Sequence, residues 1–373
     1  MTVVAKKHQP RAGSLAFYPR KRAFEQTPRV SFIKTDSAET KPINFMGYKA
    51  GMLHVMGVSA HKGSPLYGQE TAVPATVIEC PPVKVMGVRA YGKTPYGSRA
   101  IFETSENTSK HLQRRIKSFR MKHNEKKKAE AKGSFSPGFS AEKAEELDKI
   151  KEKISELRLI CHTQPYETGM GKKKPDVYEV GLSGGLEKQI AYAKEKFGKE
   201  IKVSELFKEK GYVDIKAVTK GKGFQGVIKR HGVTIQPRKA KNRRVVGSIG
   251  PWHPPLVMWT VARPGQMGYH TRTEYNKRVL RISDDTGAIN PASGFTNYGL
   301  VKNEYVLLSG TVAGAIKRAV ALRIPTREVG SDKFNLSEIK SISTAAEKKK
   351  GIAAGIEESA EQKVKAHKME KKE

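Results

Sequence analysis

Cysteine is almost absent. Cys80 and Cys161 are the only two in 373 residues, and they lie far apart. Neither sits in a C-x-x-C pair, which argues against a disulfide framework or a structural zinc site and fits a reducing compartment. Acids are also scarce: 37 Asp and Glu face 70 Lys and Arg, a net charge of +33. An enzyme for small anionic metabolites rarely needs so large a field of one sign, which repels itself unless a polyanion is present. Hydrophobic residues make up only 37% of the chain, enough for one solid core but not for burial throughout. No apolar run approaches the roughly 20 residues that a membrane helix needs, and the opening MTVVAKKHQPR lacks the apolar stretch of a secretory signal. These absences predict a soluble, intracellular protein that seeks a polyanion, with no membrane partner.

What is present is unevenly spread. Residues 1–34 hold eight basic residues and one acid, Glu25. Pro10, Pro19 and Pro28 forbid a long helix there, since each removes an N–H and restricts its predecessor. An extended basic arm over 1–44 is expected, with Lys6, Lys7, Arg11, Arg20, Lys21 and Arg22 as its phosphate contacts. Short Val-rich runs broken by Gly and Pro predict strands from 45 to 102. Residues 110–132 carry ten basic residues and two acids, with Leu112, Ile116 and Phe119 spaced for one helical face. Arg114 and Arg115 on that stretch are candidate backbone contacts. Leu147, Ile150, Ile154 and Leu157 mark a packing helix over 141–158, so 103–160 reads as a helical insertion in a β globule spanning 45–330. A further short helix is expected in LEKQIAYAKEKFG, ended by Gly198. Residues 331–373 read as a charged tail without an assigned role.

The enzymatic motifs fail on their surroundings. GKGFQG, with Gly221, Gly223 and Gly226, matches G-x-G-x-x-G, but a dinucleotide site needs a helix there and an acid about 20 residues on. Gly232, Pro237 and the basic run KNRR follow instead. DDTG at 284–287 occurs once, without the apolar run an aspartic protease places before it, and reads as a turn. Cys161 and His162 are neighbours on an expected strand and would point to opposite faces. No enzyme, metal site or cofactor is expected. An RNA-modifying enzyme on a β-barrel would need a catalytic acid or cysteine in the basic region, and Glu274 is the only acid in 216–281.

That stretch is the most informative. It holds fifteen Lys and Arg and both tryptophans. Basic residues interleaved with Gly, Pro and aromatics suit a backbone that approaches phosphates closely while side chains neutralise them. A long irregular loop over 223–275 is expected, with Lys220, Lys222, Lys229, Arg230, Arg238, Lys239, Lys241, Arg243, Arg244, Arg263 and Arg272 facing RNA. Gly221, Gly223, Gly226, Gly247, Gly250, Gly265 and Gly268 are the close-approach positions. Trp252, Leu256, Val257, Met258 and Trp259 need burial somewhere, and folded RNA can supply it by shape and stacking. No RNA-recognition-motif signature, KH loop or zinc spacing is present.

The ordered set Phe207, Asp214, Ala217, Thr219, Gly221, Lys222, Gly223, Gly226 and Arg230 resembles the signature of the universal large-subunit ribosomal protein L-three family. So do GSIGPWHPP, PGQMG at 264–268 and NYGLVKNEYVLLSGTVAGAIKR at 297–318, while HQPRAGSLAFYPRKRA looks like the archaeal and eukaryotic branch, the archaeal side favoured. The resemblance implies a mainly β fold with helical insertions, a closed Greek-key β-barrel of the translation-protein type with long basic extensions. It implies direct, early binding to large-subunit (23S-type) rRNA, help in initiating subunit assembly, and a loop tip at Trp252, His253 and Pro254 near the peptidyl-transferase centre. Implied neighbours are large-subunit proteins fourteen and thirteen and a small zinc-binding one, in the cytoplasmic ribosome and without homo-oligomerisation. Eukaryotic members carry a methylated histidine where this chain has Ala240, so that modification is not expected. The alternative is a non-ribosomal RNA chaperone or assembly factor, which shares the basic loops but leaves the mature particle.

Overall fold

The computed structural model describes residues 13–31, 39–119, 141–327 and 336–343. The chain divides into two compact units: residues 1–26 with 218–272, and 27–217 with 273–373. The first 26 residues of the arm expected over 1–44 thus share one unit with the expected loop up to Arg272, and the rest of that arm belongs to the other unit.

The larger unit is built on strands. β1 (Asn44–Ser59), β2 (Glu70–Glu79), β3 (Val83–Thr94) and β4 (Gly97–Ser105) come first. A helix at Ala141–Lys149, β5 (Glu156–His162), β6 (Val177–Gly181) and a helix at Leu186–Lys196 follow. β7 (Glu200–Ile201) and β8 (Tyr212–Val218) lead to the smaller unit, whose short β9 (Phe224–Gln225), helix at Val227–His231 and β10 (Gly265–Gln266) precede β11 (Thr271–Ser283). β12 (Tyr305–Ser309), β13 (Ala319–Arg323) and β14 (Leu336–Ser343) complete the order.

The main sheet runs β13-β8-β11-β12-β2-β1-β14, and β13 also pairs with β1. Phe45 lies opposite Leu322 and Tyr48 opposite Ala319, both antiparallel. The pairings therefore run round a ring from β1 through β2, β12, β11, β8 and β13 back to β1. A second sheet has the order β4-β3-β5-β6, with β7 on β3.

Period-2 alternation explains the cores. On β12, Val306 and Leu308 join one buried cluster with Ile78, Val279, Val320 and Leu322. Tyr305 and Leu307 join another with Met46, Tyr48, Val77 and Ala321. Both faces are apolar because both are covered, which is why these strands read as continuous hydrophobic runs. Each large side chain withdrawn from water there contributes about 1.5–3 kcal/mol.

Two buried carboxylates tie distant segments together. Glu79 accepts from the Lys302 N–H at 2.9 Å, the Asn303 N–H at 3.1 Å, Asn303 Nδ2 at 2.9 Å and the Tyr298 hydroxyl. Asp214 accepts from Arg323 Nη2 at 2.9 Å, Thr326 Oγ1 at 2.9 Å and the Asn276 N–H at 3.0 Å. A buried charge is tolerated only when paired and hydrogen-bonded in this way. Asp214 and Tyr298 both belong to the motifs quoted above.

The structure departs from the sequence expectations at four places. Leu112 and Phe119 fall on two 3-10 turns, Leu112–Arg114 and Lys117–Phe119, with Ile116 between them, and not on a continuous helix. They pack on a small cluster with Met86 and Ile160 all the same. The helix expected over 141–158 ends at Lys149, and Glu156 already starts β5. Leu147, Ile154 and Leu157 are nonetheless buried together, since a helix end, a turn and a strand can bury one stripe between them. The insertion expected over 103–160 consequently begins inside β4 and ends inside β5. Finally, 336–343 of the expected tail is β14, antiparallel to β1, with Leu336 and Ile342 in the core. Residues 120–140 of the basic stretch lie outside the described residues.

Candidate nucleic-acid interface

The smaller unit holds seventeen Lys and Arg, and its only acid is Glu25. Its base is a two-stranded stem. The Thr219 N–H donates to the His270 carbonyl at 2.9 Å, and Lys222 N–H to Met267 O at 3.0 Å. Gln225 then pairs with Gly265 and Phe224 with Gln266. The stem is tight because of Gly268. A Cβ there would sit 2.1 Å from the Lys220 carbonyl oxygen, and its φ of +71° suits glycine. Gly268 is thus a close-approach position, and the group it admits is the chain's own backbone.

After Gly226 a helix does start, contrary to the expectation from GKGFQG, but it lasts only from Val227 to His231 before Gly232 at φ 69° ends it. Five residues without a following acid make no dinucleotide fold.

The arm is laid on this stem. Arg20 Nη1 donates to the Arg230 carbonyl at 2.9 Å, and the Ala23 N–H to the Tyr269 carbonyl at 2.7 Å. His270 Nδ1 lies 2.8 Å from the Lys21 carbonyl. Arg272 stacks over Phe17 at 4.6 Å, and Tyr18 meets Trp259 edge-on at 5.4 Å. Arg230 donates from Nε to Gln266 O at 3.0 Å and from Nη1 to Arg263 O at 2.8 Å. It spends these donors bracing the loop's two ends. Burial, then the nearby Arg20, lowers the pKa of both Arg230 and Arg272. Both guanidinium groups stay charged at neutral pH. Three arginines in a unit with one carboxylate form a positive potential that attracts anions.

The remaining cations face solvent. Lys21, Arg22, Lys220, Lys222, Lys229, Arg238, Lys239, Lys241, Arg243, Arg244 and Arg263 are all exposed. So are Gly223, Gly247 and Gly250 and the tip Trp252-His253-Pro254. Trp252 is 89% and Trp259 65% exposed, with Leu256, Val257 and Met258 beside them. Among the described residues the apolar side chains that needed burial stay largely exposed, with Trp259 meeting only the edge contact from Tyr18 named above. Arg114 and Arg115 are exposed in the larger unit, away in sequence from this set. Lys6, Lys7 and Arg11 lie outside the described residues.

Sequence reasoning missed the bracing role of Arg230 and Arg20, whose partners are up to 210 residues apart. It also weighed Glu274 as a catalytic acid. Its Oε1 accepts the Ala313 N–H at 3.1 Å, and Lys277 pairs with it at 3.3 Å. Asp285 accepts the Gly287 N–H at 3.2 Å, the turn that DDTG predicted. Among the described residues no group of three or more His, Cys, Asp or Glu could hold a metal ion.

The family described as Ribosomal protein L3 matches residues 3–349. The chain belongs to the Ribosomal protein L3 family. The large ribosomal subunit protein uL3 of Methanothermobacter thermautotrophicus is 43% identical over 360 residues, covering 94% of this chain and all of that protein. The protein of the same name from Methanobrevibacter smithii is 44% identical over 92% of this chain and 99% of its own length, and that from Archaeoglobus fulgidus 44% over 85% and 92%. As an L3-family member with archaeal relatives, the chain is a ribosomal protein and not an enzyme.

Proposed function

We propose that this chain is a structural constituent of the large ribosomal subunit that binds large-subunit rRNA directly through its smaller unit. The observation that carries the reading is the pairing of seventeen cations and one carboxylate with a solvent-facing Trp252 and Trp259 in that unit. Cations on a backbone with few acids neutralise phosphates, and exposed indoles offer faces on which bases stack. If ten of these cations each neutralise one phosphate, log affinity falls with log salt at a slope of about −7 to −9.

The ring of strand pairings supports a closed Greek-key β-barrel as the platform. Family membership supports an early role in subunit assembly and a loop directed at the peptidyl-transferase centre, with Trp252, His253 and Pro254 at its tip. Large-subunit proteins fourteen and thirteen and a small zinc-binding protein are the proposed neighbours.

Sedimentation of a cell extract through a sucrose gradient, repeated after a high-salt wash, tests the reading. The chain is expected with large subunits and translating ribosomes in near-stoichiometric amounts. A peak confined to immature particles, or complete release by salt, would instead make it an assembly factor or chaperone.

A further inference from the structure

Beyond Gly51 the strand β1 alternates strictly. Leu53, Val55 and Gly57 are buried, while Met52, His54, Met56 and Val58 between them are exposed in whole or in part. Leu53 and Val55 enter the core with Ala75 from β2 and with Leu336 and Ile342 from β14. The opposite face of these three strands, in the order β2-β1-β14, meets solvent. Register puts Pro74 beside His54, Ala72 on one side of Met56 and Ser341 on the other. Pro74, Ala72 and Ser341 are exposed, and Met52 is nearly half exposed.

The face is firmly built. A Cβ on Gly57 would lie 2.6 Å from the Glu338 carbonyl oxygen, so β14 closes tightly on β1. The loop from β1 to β2 is pinned by the Gly68 N–H on the Ser59 carbonyl at 2.9 Å and the Tyr67 N–H on the Ser64 carbonyl at 3.0 Å. It holds Leu66 and Tyr67 about half exposed at the end of the ribbon.

Charge sets this face apart. The chain carries a net +33, yet among the described residues of the strand face only His54, Glu70 and Lys340 are ionisable, and the last two pair with each other. The end of the β3–β4 hairpin, equally open to solvent, exposes Lys93 and Arg99 instead. A polyanion gains affinity by releasing counterions to unpaired cations, and the β2-β1-β14 face offers it none. Protein interfaces have the opposite composition, poor in charge at their centre and rich in Met, whose flexible thioether fits irregular apolar surface.

We propose that the solvent-facing side of β2, β1 and β14, centred on Met56, docks an uncharged apolar segment of another large-subunit protein and takes no rRNA phosphate. The inference rests on the large-subunit reading above.

The test uses large subunits purified from cells that make the full chain with a photocrosslinking benzophenone amino acid in place of Met56. Irradiation is expected to join the chain to one other large-subunit protein in an adduct that survives ribonuclease. Met56→Glu/Ala72→Glu is expected to unfold at the wild-type temperature and keep its affinity for rRNA. Recovery of that same protein in subunits should fall at least about tenfold, because docking would bury unpaired charge. Met56→Leu should restore it. An adduct destroyed by ribonuclease, an adduct with a second copy or another part of this chain, or no adduct overturns the proposal. Full recovery of the crosslinked protein with the folded double variant does so too, and if that variant unfolds the crosslink alone decides. A chain absent from large subunits overturns the constituent reading as well.

Discussion

Seventeen cations and one carboxylate occupy the smaller unit, whereas the larger carries 53 cations and 36 carboxylates. The larger unit uses its carboxylates to close its own structure. Arg89 bridges Glu103 and Glu179, Arg158 reaches Glu156 and Glu179, and Asp214 is buried under Arg323. The smaller unit has no such supply and turns its braces to backbone carbonyls, as Arg20 and Arg230 do. Aromatic placement follows the same division. Tyr48 and Tyr305 are fully buried in the larger unit, while Trp252 and Trp259 stand in solvent in the smaller. One part pairs its charges and buries its rings within itself, and the other leaves most of its cations and its indoles in solvent.

If that division is right, damage to a carboxylate should unfold the larger unit, and damage to a loop cation should spare folding and weaken RNA binding. Asp214→Ala is the harshest case. It leaves the Arg323 guanidinium, only 11% exposed, without its partner at 2.9 Å, and breaking a buried pair from one side costs about 3–5 kcal/mol. Denaturant unfolding measures this, and a loss below about 1 kcal/mol would contradict the buried-latch reading. Replacing Lys239, Lys241, Arg243 and Arg244 together by Gln should leave unfolding unchanged. Affinity for rRNA should drop by about two to three orders of magnitude at moderate salt, with the salt slope falling by about 3–4. A quadruple variant that unfolds early, or binds as the wild type does, breaks the comparison.

Acid offers a milder way to separate the units. Burial pushes the His162 pKa down from 6.5 to about 4, and its Nε2 meets the Thr108 hydroxyl at 2.9 Å. Between those values the unfolded chain takes up a proton that the buried ring refuses, so stability falls as pH drops from 6.5 towards 4. The full effect is about 3 kcal/mol. Glu167 works the other way. Burial, then Glu200, raises its pKa to about 7, so it costs stability as pH climbs from 4.5 towards that value. Comparing the pH profiles of wild type and His162→Gln cancels Glu167, and the variant should be flatter on the acid side. Parallel profiles would deny His162 its part.

A single methyl group tests the stem next. Gly268→Ala places a Cβ against the Lys220 carbonyl at a φ of +71°, a strain of about 1–3 kcal/mol confined to the smaller unit. Limited proteolysis should cut between 224 and 266 faster while global unfolding stays put. Equal cleavage rates would mean that the stem tolerates the clash.

These contrasts were partly visible before any coordinates. The cations of 216–281 were legible because a unit with almost no acids announces itself in composition. The Val-rich runs gave strands since period-2 burial leaves a mark within ten residues. The stripe Leu147, Ile150, Ile154 and Leu157 does face the core, Ile150 only partly buried, yet it is not one helix, because spacing reports which side chains face the core and not where a turn interrupts the backbone. β14 is hidden inside a charged tail: its strand pairs with β1, nearly 280 residues earlier, and Leu336 and Ile342 join a core cluster drawn from distant segments. Glu79, Asp214 and the brace Arg230 were illegible as such for the same reason. Their partners are set by tertiary contact, and a local pattern carries no trace of it.

Trp252→Ala should have the smallest effect on the protein and an informative one on its surroundings. At 89% exposure the indole contributes little to folding, and exposed substitutions of this kind stay within about 0.5 kcal/mol. Subunits should therefore assemble nearly as in wild type and sediment alike. If the tip lies along the route of aminoacyl-tRNA, its loss removes a stacking surface worth about 1–3 kcal/mol per base. Purified ribosomes should then bind aminoacyl-tRNA with altered affinity while their rRNA and protein content is unchanged. Normal elongation and tRNA affinity would confine Trp252 to packing on rRNA, and failed assembly would make it part of the folding of the particle itself.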